Sequence, residues 1–207
     1  MTRRLRRPFA IALLPLALLV LAGGLSSCSR RLGWGVVLWS SKEGPLPAGS
    51  VVPVYIKSNI QSLYVVGVPG SRDKVELPLW QVELFSSKAT ARQRVESFGD
   101  NLHVYMMAAR DGLPLRKEAA NNAKRVYRLR EGESVKVLEK ASGETVSTGG
   151  EILPGDWYLV LAEGGETGYV FSYAMRLYDE TKEGPPTLAA EQTAVSGQVD
   201  LVFSRSW

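Results

Sequence analysis

The feature that most constrains this chain is a repeated nine-residue pattern. Leu46-Pro-Ala-Gly49-Ser-Val-Val52-Pro-Val54 recurs as Leu129-Arg-Glu-Gly132-Glu-Ser-Val135-Lys-Val137, 83 residues later, and both read Leu-x-x-Gly-x-x-Val-x-Val. The glycine suits a tight turn, and valines two apart point to one face of the strand that follows. A second match comes later in each copy. Trp80-x-x-x-Leu84-Phe85 aligns with Tyr173-x-x-x-Leu177-Tyr178 at an offset of 93. The ten added residues fit a longer hairpin loop in the second copy, Gly143 to Pro154. Chance likeness between β-rich segments is the competing explanation. Two ordered matches, each flanked by similar strands, favour one small β unit built twice.

The surrounding segments agree. Val36–Trp39, Ser50–Lys57, Ser62–Val68 and Val75–Leu79 are short β-rich runs separated by turns such as Lys42-Glu43-Gly44-Pro45 and Pro69-Gly70-Ser71-Arg72-Asp73. Pro53 lacks a donor and suits an edge or a bulge. Arg125–Leu129, Ser134–Glu139, Asp156–Glu163 and Thr167–Phe171 continue the pattern, with Gly143, Gly149-Gly150, Pro154-Gly155 and Gly164-Gly165 in the turns. Short strands at this spacing argue small barrels. Between the copies the period changes. Ala91, Val95 and Phe98 share one helical face, Ser86 or Ser87 can cap the start, and Gly99 can end the helix. A helix of about three turns is marginal alone and must dock on something. Leu102–Ala108 is again strand-like.

The second copy resembles a bacterial SH3-like domain. The residues that carry the resemblance are Leu113-Pro-Leu-Arg116, Val126 to Val137, Asp156-Trp-Tyr-Leu-Val160 and Gly168-Tyr-Val-Phe-Ser-Tyr173-Ala-Met-Arg-Leu177. The last block is the most specific: Gly, an aromatic, Val, a one-turn helix and a closing strand. The resemblance covers about Arg110 to Asp179 well and about Val36 to Phe85 weakly. The first copy has Glu76-Leu77-Pro78 where the second has its Gly-aromatic-Val block. What the resemblance implies is a mainly β fold of two small SH3-like barrels joined by a short α-helix. It also implies a groove for peptides or cell-wall stems. The candidate groove residues are Tyr127, Trp157, Tyr158, Tyr169 and Tyr173. Neighbours such as Trp157 and Tyr158 point opposite ways along a strand, so about half of the aromatics belong to the core.

The amino terminus sets location. Arg3, Arg4, Arg6 and Arg7 precede an apolar run from Phe9 to Leu21, broken only by Pro15, then small residues and Cys28. A basic head, a short apolar middle and a small-residue exit describe a secretory signal peptide. The run is short for a bilayer helix, which needs ~20 residues. Leu25-Ser26-Ser27-Cys28 resembles the lipobox of bacterial lipoproteins, and Cys28 is the single cysteine of the chain. That resemblance implies cleavage before Cys28, acylation of its thiol and usually of the new amino group, and the lipid bilayer as a partner. Ser29 after the cysteine favours outer-membrane sorting where the proteobacterial rule holds. The layout as a whole resembles spirochaete lipoproteins with tandem SH3-like domains.

Composition excludes more than it names. The formal charge of +4 belongs to the four arginines of residues 1–27, so the remainder carries 21 basic and 21 acidic side chains. No concentrated Lys/Arg block is evident in that remainder, which argues against nucleic acid as a partner. With Cys28 acylated no disulfide forms, and the fold rests on its core. Catalysis finds little support. There is no free cysteine, His103 is the single histidine, and no nucleotide, calcium or zinc motif is present, so no cofactor or metal is expected. His103 is expected on a strand, at a solvated or interdomain face.

The expected organisation is signal peptide 1–27, acylated tether 28–35, first copy 36–85, connecting helix and strand 86–109, SH3-like domain 110–179, and 180–207 as linker and C-terminal strand or the start of a further domain. The expected function is non-catalytic binding of an envelope protein, peptide or peptidoglycan by a lipoprotein at the periplasmic face or cell surface. The alternative is a structural subunit of an envelope assembly, docking through Gln198–Phe203.

Overall fold

The structure, a computed structural model, describes residues 31–40 and 44–186. The signal segment, Cys28 and the C-terminal strand expected at Gln198–Phe203 lie outside the described residues. The first barrel is an antiparallel sheet of β1 (Gly33–Val37), β2 (Val51–Ser58), β3 (Leu63–Gly67), β4 (Lys74–Pro78) and β5 (Val82–Phe85), in the order β4-β3-β2-β1-β5. A 3-10 turn, Leu79–Gln81, leads into β5. Val37, Leu46, Val52, Val54, Tyr64, Val66 and Val82 form its core. The tether expected to reach residue 35 ends earlier, because Gly33 and Gly35 are already in the sheet. Their glycines serve close packing. A Cβ on Gly33 would stand 2.5 Å from the Phe85 carbonyl oxygen, and one on Gly35 2.5 Å from Val82 Cγ1.

The second barrel holds β6 (Val104–Ala108), β7 (Leu113–Arg116), β8 (Arg125–Leu129), β9 (Ser134–Ala141), β12 (Trp157–Ala162), β13 (Thr167–Phe171) and β14 (Met175–Asp179), ordered β14-β6-β9-β12-β13-β7-β8. A small hairpin, β10 (Ser147–Thr148) and β11 (Glu151–Ile152), fills the long loop. The core gathers Met106, Leu115, Leu129, Val135, Val137, Val160 and Val170. The boundary expected at residue 110 moves. β6 pairs with both β9 and β14, so it is a strand of this barrel rather than of the connector.

The repeat is visible atom by atom. Leu46 and Leu129 are buried, as are Val52 with Val54 and Val135 with Val137. Gly49 and Gly132 turn the chain at φ +82° and +78°, a region costly for side-chain-bearing residues. Each barrel's second long strand carries one bulged residue, Tyr55 in β2 and Leu138 in β9, again 83 apart. Pro53 lies two residues before the first of these bulges, in a strand that is not an edge. Trp80 and Tyr173 each occupy the middle of a 3-10 turn, Leu79–Gln81 and Ser172–Ala174. Two turn bonds recur as well: Gly49 N–H to the Val37 carbonyl (2.8 Å) and Gly132 N–H to the Ala108 carbonyl (2.9 Å).

The expected helix runs Lys88–Ser97 (α1), with the Ser87 hydroxyl accepting from the Thr90 N–H. Ala91 and Phe98 pack with Val36, Trp34, Phe85 and Val95, and Leu138 of the second barrel joins the same cluster. The helix therefore covers the outer face of the first barrel and meets the second.

The barrels belong to one compact unit. One outer row of the second sheet forms the junction. Strand register aligns Tyr178, Tyr105, Lys136, Leu161 and Thr167 across β14, β6, β9, β12 and β13. Tyr178 and Tyr105 stack at 5.7 Å, and Trp39 stands edge-on to Tyr105. The first barrel's corresponding row begins Phe85, Trp34, Pro53 and lies against α1.

Candidate functional site

A second outer row of the same sheet runs Glu139, Leu159, Tyr169, Arg116, Arg125 across β9, β12, β13, β7 and β8. These side chains are exposed or half-buried, in contrast to the junction row. The row passes from acid through aliphatic and aromatic to two cations. The Arg116 guanidinium is committed to the hairpin, donating to the Ala123 carbonyl (2.8 Å) and Asn121 Oδ1 (3.4 Å). Partial burial and then the facing Arg125 lower its pKa.

The five aromatic candidates divide between two faces. Tyr127 and Tyr158 are half-buried and pack on the core cluster, because Tyr127 pairs with Leu115 and Tyr158 with Val170. A hydrogen bond to Glu133, then burial, raises the Tyr127 pKa. Tyr169 lies on the outer row. Tyr173 projects from the 3-10 turn and is 52% exposed. Trp157 is a correction. It is 4% exposed, packs against Phe171 at 5.4 Å, and donates its indole N–H to the Glu144 carbonyl at 2.7 Å. Gly143 lies so close to the indole that a Cβ at that position would clash with Trp157 Cδ1. The five thus form no single groove; Tyr169 and Tyr173 are the two whose placement leaves an open surface.

Residues not singled out in the sequence hold the junction. Lys136 is 1% exposed, and its ammonium donates to the carbonyls of Asn101 (2.7 Å), Val137 (3.0 Å) and Val104 (3.1 Å). The Tyr105 ring lies 5.0 Å from the ammonium. Burial pulls its pKa down to about 8, against the opposing charges of Glu180 and Asp179. Period-two alternation places Lys136 opposite Val135 and Val137, but nothing local reveals that a second barrel covers that face. His103 closes a 3-10 turn, Gly99–His103, rather than lying on a strand. Its Nδ1 is 3.2 Å from Glu180 Oε1, which also accepts from the Ser40 hydroxyl at 2.8 Å. Glu180, held beside the imidazole, is the group that reaches Ser40 of the first barrel. Among the described residues no group of three or more His, Cys, Asp or Glu could hold a metal.

Residues 32–100 match the family model described as the TP0260 family, N-terminal SH3 domain. Residues 111–175 match the one described as the bacterial SH3 domain. The chain carries two SH3 domains in tandem. The first SH3 domain thereby takes in α1, and the second begins its matched stretch after β6. A Treponema pallidum (strain Nichols) protein, described as uncharacterized, is 38% identical over 183 residues, which is 88% of this chain and 40% of the relative. The chain thus spans less than half the length of that curated relative. The solved structure of NlpC2 from Trichomonas vaginalis aligns over 76% of this chain and 51% of its own, at 10% identity and a TM-score of 0.25.

Proposed function

We propose that the protein is a non-catalytic binding module of the cell envelope, held to the membrane through acylated Cys28, whose second SH3 domain engages a protein or peptidoglycan. The observation that carries this reading is the pairing of one covered and one open row on the same sheet. Tyr105 and Lys136 are buried in the junction, while Tyr169 and Arg116 in the other row stay accessible. The exposed Tyr173 ring sits on the turn that follows Tyr169's strand. A rigid aromatic with one exposed face loses little entropy on binding and typically contributes more than about 1 kcal/mol at an interface.

Two experiments test the reading. Fatty-acid labelling should mark the wild type and not Cys28→Ala; equal labelling removes the anchor. Pulldown from envelope extract and sedimentation with purified sacculi should weaken about tenfold for Tyr173→Ala, with an unchanged melting curve. Full binding by that variant and by Tyr169→Ala together would sink the binding role of this surface.

A further inference from the structure

A cationic surface gathers on one hairpin of the second SH3 domain, and it corrects the expectation that no basic block lies outside the signal segment. Residues 110–130 carry seven basic side chains and two acidic ones, while the rest of 28–207 has fourteen basic against nineteen acidic. A chain neutral beyond its signal segment thus concentrates a net +5 in one hairpin. β7 and β8 fold that stretch on itself, setting Arg116 directly opposite Arg125 and Pro114 opposite Arg128. Lys117, Lys124, Arg125, Arg128 and Arg130 are all exposed, and none forms an ion pair among the described residues. Like charges directly opposite in a sheet are destabilising. The fold keeps this pair although Arg116 already has two neutral acceptors.

β8 is also an edge, hydrogen-bonded to β7 on one side only. Charge on an edge strand normally prevents strand-to-strand aggregation. That role does not demand a single sign, and two of the other edges, β4 and β14, carry both. β4 holds Lys74 and Glu76, β5 holds Glu83, and β14 holds Arg176 and Asp179. β8 and the residues beside it hold Lys124, Arg125, Arg128 and Arg130, and the acids that come next, Glu131 and Glu133, lie in the turn beyond, where Glu133 accepts from the Arg130 N–H. In the first SH3 domain the equivalent stretch, residues 38–48, has one basic and one acidic residue, Lys42 and Glu43, and no net charge.

We infer that the β8 edge of the second SH3 domain docks an acidic segment of a partner protein, added in extended conformation alongside Arg125–Leu129. Backbone pairing supplies affinity, and alternate carboxylates meet Arg125 and Arg128. This rests on the binding-module reading and names the partner's chemistry. The tyrosines of that reading and the arginines of this one lie on separate residues, so each can fail alone.

The test uses the full chain in zwitterionic detergent and a fluorescent peptide of alternating Glu and Val. The peptide should bind with an affinity that falls steeply with salt, and a Lys–Val peptide should not bind. Arg125→Glu/Arg128→Glu should weaken binding about tenfold or more while the melting temperature does not fall, since Glu at 125 would face Arg116 with opposite charge. Arg92→Glu, on the exposed side of α1, should leave it intact. Equal loss with Arg92→Glu, no loss with the double variant, or no peptide binding at all overturns the inference. So does a double variant whose only defect is on anionic vesicles or sacculi. Envelope binding that depends on Tyr173 while the peptide fails to bind would leave the broader reading standing and remove this one.

Discussion

The Trp39 indole stands edge-on against the Tyr105 ring, with centroids 5.2 Å apart and planes at 84°. Trp39 follows the first strand of one SH3 domain, and Tyr105 lies in the first strand of the other. The Tyr105 hydroxyl accepts from the Ser40 N–H at 3.1 Å, and Gln81 donates to the Trp39 carbonyl at 2.6 Å. The contact is therefore braced on both sides. Trp39→Ala should cost on the order of 3 kcal/mol. It should also split one denaturant unfolding transition into two, read by fluorescence and circular dichroism. A single, unshifted transition would show that the domains do not depend on this contact.

Lys136 predicts a pH dependence. Its folded pKa, about 8, is below the ordinary lysine value of 10.5, so the unfolded chain holds the proton more tightly. Stability is then reduced below about pH 8 and rises as pH climbs from there toward the unfolded value. Burial raises the pKa values of Tyr105 and Tyr178, so their contribution is lost above the unfolded tyrosine range near pH 10. Wild-type stability should rise between about pH 8 and 10 and then fall. Lys136→Met should flatten the rise. Denaturant melts at a series of pH values check this, and an unchanged slope in the variant refutes it.

The moved boundary predicts fragment behaviour. A fragment of residues 110–186 lacks β6, which separates β9 from β14. It should show no cooperative melt, whereas 99–186 should fold. Well-dispersed amide resonances from the shorter fragment would contradict the assignment of β6.

Gly143→Ala tests the packing around Trp157. The added methyl would press on the indole and on the Ala119 carbonyl, which stands 2.5 Å from the Cβ position. Overpacking of this kind costs about 1–3 kcal/mol. A melting temperature equal to wild type would mean that the loop shifts freely.

What the sequence made legible was local. The Leu-x-x-Gly-x-x-Val-x-Val pattern, the Ser87-capped helix and the alternation of Trp157 with Tyr158 each depend on near neighbours and period. The remainder depended on pairing between distant strands. β6 looked like a connector because its partners, β9 and β14, lie far along the chain. The burial of Lys136 has no local signal, because the groups that enclose it, the Phe98 ring and the Asn101 and Val104 carbonyls, lie on distant parts of the chain. The opposition of Arg116 and Arg125 went unseen because they become neighbours only when β7 meets β8. The groove candidates split between faces because the composition of a strand does not show which side remains uncovered.

Register equivalence between the copies has one more consequence. Phe85, Trp34 and Pro53 of the first domain correspond to Tyr178, Tyr105 and Lys136 of the second, yet the first set is roofed by α1 and the second by the neighbouring domain. The residue that supplies the roof, Trp39, has Arg110 as its counterpart two positions beyond Ala108. The Trp39 contact on Tyr105 therefore has no equivalent at Arg110, and the two copies have diverged in what covers the same row. Any transplant of this architecture has to carry both domains and the helix together.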